Sequence, residues 1–361
     1  MVVERLSGVD AVTPAMQHVK RRLFQPFRWS LYWRLSLLGL LTGEFGMGGG
    51  GGGNFRVPSD FPRDGKKDLL QFFAGEADVG RFVSQWLPWI VLGVAVLVVL
   101  GLLWLYVSSV FRFVLLETVL HGRCELRAGW RRWQQQGWSF FWWQIGVSLV
   151  VLLILGVVVG LPLLLGAALG VLQNPKEHLG LAILGGLAIF FAAFAVLILN
   201  LLVWLFSKDF VVPIMALEDT GAVESWRRFT PLLKAEKGAY AVYVLMKMVL
   251  AVGAAILFGI INLIVLLVLL IPVGIAAVGV VMAGKAAGLT WTAFTIAAVV
   301  TVGVALLLVM FWLFALINTP GMYFFQSYTL HFFGSRYARV GDVLFAAPAQ
   351  PPTAAVPVAG G

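Results

Sequence analysis

Three polar side chains stand where an apolar sequence would not ordinarily carry them. Arg34, Gln144 and Lys247 each fall five to seven residues after the start of an aromatic cluster. Those clusters are Trp29-Ser30-Leu31-Tyr32-Trp33, Trp138-Ser139-Phe140-Phe141-Trp142 and Tyr240-Ala241-Val242-Tyr243. A charge set deep in hydrocarbon costs a few kcal/mol on insertion scales (about 2.5–3.5). Such a residue either snorkels to the headgroups or shares a polar site that binds an anionic lipid phosphate or a substrate. No Asp or Glu is expected well inside a span, which argues against coupling to protons or sodium.

A second constellation is aromatic–Arg–Arg–aromatic. Trp130-Arg131-Arg132-Trp133 follows Leu116-Glu117-Thr118, and Trp226-Arg227-Arg228-Phe229 follows Leu217-Glu218-Asp219-Thr220. A helix of this kind lies at a membrane surface with rings in the headgroup zone and guanidiniums on phosphates. The expected contacts with anionic lipid are therefore Arg34, Lys247, Arg131, Arg132, Arg227 and Arg228. The expected interfacial anchors are Trp104, Trp204, Trp312, Trp130, Trp133 and Trp226.

Other chemistry is thinly represented. His18, His121, His178 and His331 do not pair with one another at helical spacing, and are read as too dispersed for the clusters that zinc or haem ligation requires. The single cysteine, Cys124, excludes an intrachain disulfide and a multi-cysteine metal site. No nucleophile elbow is present. The run Gly48 to Gly53 lacks the Gly-Lys-Ser/Thr ending of a phosphate loop. The reading is accordingly a non-enzyme with no cofactor and no metal.

The elements that must position these residues are set by composition. The chain of 361 residues is 60% hydrophobic and 12% charged, with mean hydropathy +0.93. Soluble domains run near 45–50% apolar and about 25% charged. Unbroken apolar runs of this length read as membrane helices, because a helix pairs its own backbone groups in hydrocarbon.

Trp104-Leu105-Tyr106, Trp204-Leu205-Phe206 and Trp312-Leu313-Phe314 each close such a run, at a period near 100 residues. The expected fold is all-α: a polytopic bundle of six transmembrane helices built as three helical-hairpin repeats. The expected spans are 27–43, 86–112, 138–161, 181–206, 240–270 and 289–317. Most of the 26 Lys and Arg residues fall on the side of the N-terminus, the second and fourth loops and the tail. That bias places both termini in the cytoplasm and accounts for the net charge of +9 without nucleic acid.

The domain reading follows. Residues 1–26 form an N-terminal segment, 27–335 the membrane domain, and 336–361 a disordered Ala/Pro-rich tail. The loop 44–85 carries the glycine run and an amphipathic helix over 68–87. Pro162 and Pro272 are expected to end or kink their spans, leaving short Gly/Ala-rich segments behind them. Gly156, Gly160, Gly185 and Gly186 are expected at close helix contacts.

The hairpins, with the phrase from Asp209-Phe210-Val211-Val212-Pro213 to Glu224-Ser225-Trp226-Arg227-Arg228, resemble a known group. It is the six-helix membrane domain of some membrane-bound glycerophosphodiester phosphodiesterases, together with related stand-alone bacterial membrane proteins. The resemblance covers most of 15–335. It implies fold, topology and a bacterial inner membrane, and it carries over no catalytic residue, since the soluble catalytic barrel has no counterpart. The expected function is a scaffold or accessory subunit with membrane lipids and other membrane subunits as partners, and anionic lipid bound at its cytoplasmic face. The alternative is a transporter or channel for a lipid-like or small substrate.

Overall fold

The structure is a computed structural model that describes residues 5–45, 76–122, 124–168, 178–286, 288 and 293–345. These residues are helical, with no strand among them. In chain order the helices are α1 (Val12–Leu23), α2 (Trp29–Thr42), α3 (Glu76–His121), α4 (Leu126–Ala168), α5 (Leu179–Phe206), α6 (Val212–Glu218), α7 (Ala222–Ala235), α8 (Lys237–Ala286), α9 (Ala293–Gly334) and α10 (Ala338–Leu344). A π turn, Ser207–Val211, joins α5 to α6 without a break.

Five helices are long and apolar enough to cross a membrane: α3, α4, α5 with its continuation through α6, α8 and α9. They contain four of the six expected spans, and α9 holds a fifth, 289–317, from Ala293 onward, 289–292 lying outside the described residues. The sixth, 27–43, is α2. At 14 residues it is about 21 Å long, short of the ~30 Å hydrocarbon core. It is wedged between α3 and α9, with Leu35, Ser36, Leu38, Gly39 and Thr42 buried. Gly43 ends it in the left-handed conformation (φ 69°), where a residue without Cβ is favoured.

Each long helix has two halves of different character. Residues 87–104, 148–168, 179–201, 251–284 and 297–312 expose nearly every large apolar side chain. The other halves converge on a packed body with α1, α2, α6, α7 and α10. Its core is unusually aromatic. Phe210 stacks on Phe229 at 5.1 Å and meets Tyr240, Tyr243, Phe332 and Phe333. Both described ends of the chain belong to this body: Tyr328 donates to the Gly8 carbonyl and Arg336 to that of Leu6.

Several expectations change. The helices run through Pro162 and Pro272 without ending. Flanking apolar residues sustain the ladder, and in hydrocarbon an open backbone group has no water to turn to. The separate amphipathic helix over 68–87 does not appear as such: α3 starts at Glu76 and continues into the span, while 68–75 and the glycine run lie outside the described residues. Residues 338–344 form α10, with Val340 and Gly341 buried, so the tail is ordered as far as 345; 346–361 lie outside the described residues.

Gly156, Gly160, Gly185 and Gly186 face open space, with nothing within 4 Å of an added Cβ. The close approach is in the body instead. A Cβ at Gly137 would lie 2.5 Å from Val110, and one at Gly129 would lie 2.9 Å from Val114. Those two glycines, eight residues apart on α4, let it press against α3.

Candidate functional site

Five charged side chains meet where the exposed apolar halves enter the body. Glu44 follows the end of α2, Arg112 comes from α3, Lys208 and Asp209 from the π turn, and Lys247 from α8. Their side chains are only 3–6% exposed. The π turn explains how two successive charges reach one interior: its wider winding buries Ser207, Lys208, Asp209, Phe210 and Val211 together. π turns inserted in longer helices recur at functional positions.

Each of the five charges has an oppositely charged neighbour. Glu44 Oε1 lies 3.0 Å from Arg112 Nη1 and 3.1 Å from Lys208 Nζ. Asp209 Oδ2 accepts from Lys247 Nζ at 2.6 Å and from the Tyr243 hydroxyl at 2.8 Å. The Tyr243 hydroxyl also contacts Thr329 Oγ1 at 2.8 Å. Trp204, from the second of the repeated phrases, covers the cations: Lys208 Nζ is 4.1 Å and the Arg112 guanidinium 5.5 Å from its ring. Desolvating such ions costs several kcal/mol each, repaid only by close pairing of this kind.

A cavity of about 230 Å³ opens onto this cluster. Glu44, Phe45, Asp209 and Lys247 form its polar end. One wall is a stripe of α8 (Ala254, Ala255, Phe258, Gly259, Asn262), and the other a stripe of α9 (Phe314, Asn318, Gly321, Met322, Phe325, Gln326). Their spacing by three and four residues puts each set on one helix face. From Lys247 to Asn262 the slot runs fifteen residues along α8, about 22 Å. Ala and Gly on the wall keep it open; nothing lies within 4 Å of a Cβ built at Gly259.

The expected site residues separate into two groups. Lys247 and Gln144 are buried at this level, whereas Arg34 is exposed and donates to the Cys124 carbonyl at 3.1 Å. Arg34 therefore does not share a site with Lys247. Arg131, Arg132, Arg227 and Arg228 are exposed on the body; Arg132 pairs with Glu117, Arg227 with Glu224, and Arg228 with Glu218 and Glu224. Trp133 turns inward, stacks on Phe113 and donates to Glu117. Trp130 packs on Tyr106 and Phe111, and Trp226 on Trp143. Trp104 and Trp312 are exposed at the junction of body and apolar halves.

Four members of the cluster are not among the residues expected from sequence: Glu44, Arg112, Lys208 and Asp209. Two buried carboxylates are not signalled by the sequence, because Glu44 and Asp209 look like loop residues beside the ends of apolar runs. The available signal was Asp209 next to Lys208 inside an otherwise apolar stretch. His331 is buried with both ring nitrogens unpartnered. Its ring meets that of His18 edge-on at 5.6 Å. Burial in α1, with Arg22 nearby, holds His18 below the usual imidazole range, against the opposing pull of the Val119 carbonyl. Among the described residues no group of three or more metal-ligating side chains forms.

The arrangement can neutralise and orient a polar group at the cavity's end while leaving an apolar body along α8 and α9. Comparison with curated proteins and with solved structures finds no match. A family model does match, over residues 6–343, a range that takes in α1 through α9 and all five charges. The chain belongs to that family, a family of unknown function designated DUF7544.

Proposed function

We propose that this is a non-catalytic integral membrane protein that holds one amphipathic molecule, a lipid or lipid-like compound, between α8 and α9. Its polar head sits on the buried charges, and its apolar part lies toward the bilayer. One observation carries this reading: a cavity joins buried charged side chains to a slot between two membrane-length helices whose walls are mostly apolar, with Asn262, Asn318 and Gln326 among them. Paired charges that served only to hold the body together would need no opening onto them.

In this reading the exposed apolar halves are covered by lipid and the body lies at the cytoplasmic side. Lys20, Arg21, Arg22, Arg127, Arg131, Arg132, Arg227, Arg228, Lys234 and Lys237 all belong to the body, which is the positive-inside pattern. The three-hairpin arrangement is supported by the packing of α2 on α3, α4 on α5 and α8 on α9, with α2 a shortened first member. The exposed arginines meet anionic headgroups, each contributing on the order of 1 kcal/mol. A lipid-holding scaffold or accessory subunit fits these features and the resemblance to the membrane domain of lipid phosphodiesterases.

Native mass spectrometry of the protein extracted from membranes tests the proposal. One retained lipid per chain is expected, and its loss in Gly259→Leu, which fills the slot. Equal retention by both proteins would refute it. Transport is the second reading, favoured by the buried carboxylates Glu44 and Asp209. Flux of the bound compound across proteoliposomes, absent in Gly259→Leu, would select it.

A further inference from the structure

The cavity does not present all five charges. Arg112 and Lys208 stand behind Glu44 and do not line it. What faces the cavity is two carboxylates and one ammonium: Glu44, Asp209 and Lys247. The five charges sum to one net positive, which taken alone would favour an anion; the geometry at the cavity surface says otherwise.

Each carboxylate spends one oxygen on internal pairing. Glu44 uses Oε1 for Arg112 and Lys208, and Asp209 uses Oδ2 for Lys247 and Tyr243. No hydrogen bond to Glu44 Oε2 or Asp209 Oδ1 is found among the described residues, the bonds of both carboxylates falling on the other oxygen. An ammonium carries three donors, and Lys247 uses one of its own on Asp209. The cavity end therefore offers two carboxylate oxygens to a donor and two N–H groups to an acceptor. A purely anionic headgroup would press against two carboxylates, and a purely cationic one against Lys247.

Resting on the proposal that the slot holds an amphipathic molecule, we infer that its headgroup is a zwitterion with a primary ammonium and a phosphate or carboxylate. The ammonium is held by Glu44 and Asp209, and the anion by Lys247. Charge-assisted hydrogen bonds carry this selection, so a quaternary ammonium, which has no N–H, binds less well than a primary one. A volume of about 230 Å³ is below the roughly 300–1,000 Å³ of sites that enclose a whole small molecule. The site thus takes a headgroup and leaves acyl chains along α8 and α9.

The test is lipid retention by the full-length protein in nanodiscs of equal parts phosphatidylethanolamine, phosphatidylcholine, phosphatidylglycerol and diacylglycerol. Retention is read by native mass spectrometry, with Gly259→Leu as the blocked control and circular dichroism confirming its fold. Phosphatidylethanolamine should exceed each other lipid by at least about tenfold, the ratio one charge-assisted hydrogen bond supplies, and Gly259→Leu should abolish the excess. A preference for phosphatidylglycerol or diacylglycerol that Gly259→Leu abolishes would overturn the headgroup inference and leave the amphipathic site standing. Retention unaffected by Gly259→Leu would overturn both. Free O-phosphoethanolamine is the competitor that identifies the source: displacement at matched concentration supports the zwitterion chemistry with a soluble ligand, and no displacement supports it with a lipid.

Discussion

Removing the carboxylate of Asp209 should destabilise the protein more than removing the ammonium of Lys247, although the two form one ion pair. In Asp209→Asn the Lys247 ammonium, 6% exposed, loses its counter-ion, and three cations remain against Glu44 alone. In Lys247→Met the Asp209 carboxylate is left beside Arg112 and Lys208, which already feel its charge, and the cluster becomes neutral overall. Breaking a buried pair from one side costs roughly 3–5 kcal/mol. Asp209→Asn is expected in that range, and Lys247→Met about 1–2 kcal/mol below it. The double variant restores the original net charge and leaves no lone partner, so it should cost at least about 2 kcal/mol less than the sum of the singles. Tyr243 loses its Asp209 acceptor only in part, because Thr329 remains at 2.8 Å. Reversible unfolding in mixed micelles, followed by fluorescence of the 14 tryptophans, measures all three variants. Additive costs, or a Lys247→Met more damaging than Asp209→Asn, would refute the account of the cluster as one interacting set.

Glu44→Gln should destabilise by about 3–5 kcal/mol in the same assay, since it strands two cations, Arg112 and Lys208, at once. Gly137→Ala should cost about 1–3 kcal/mol, because its new methyl meets the Val110 backbone at 2.9 Å. Gly146→Ala on the same helix meets nothing, and is expected to be neutral or to gain up to about 1 kcal/mol of helix propensity. Acidification should weaken the body through His18: its folded pKa lies below the unfolded value of 6.5, so its contribution is complete above pH 6.5 and fades as pH falls toward the folded pKa. His18→Gln should flatten that part of a melting-temperature profile between pH 7 and 5, and an unchanged slope would count against it.

The glycines and the charges show how differently the two levels of description behave. A glycine in an apolar run is the same letter whether it faces lipid or a neighbouring helix. Gly156 and Gly185 face open space, while Gly129 and Gly137 carry the close contact, and only the direction of the helix face separates them. The paired tryptophans follow the same logic. Trp130 and Trp133 flank two arginines in a pattern suited to a membrane surface, yet the first turns of α4 aim them at Tyr106, Phe111 and Phe113.

Sequence alone determined the solvent and the elements. Long apolar runs in a chain of mean hydropathy +0.93 force helices, because hydrocarbon tolerates no unpaired backbone, and five expected spans fall on helices of membrane length. It also singled out Lys247, since an ammonium in an apolar stretch is costly wherever it lies. Only the tertiary structure decided what that ammonium meets. Glu44, Arg112, Lys208 and Asp209 come from four positions scattered over some 165 residues (Glu44 to Asp209), each at the margin of an apolar run, where a charge costs little and attracts no notice. Their cost and their use arise from burial, and burial belongs to the packing of α2, α3, the π turn and α8 around one another.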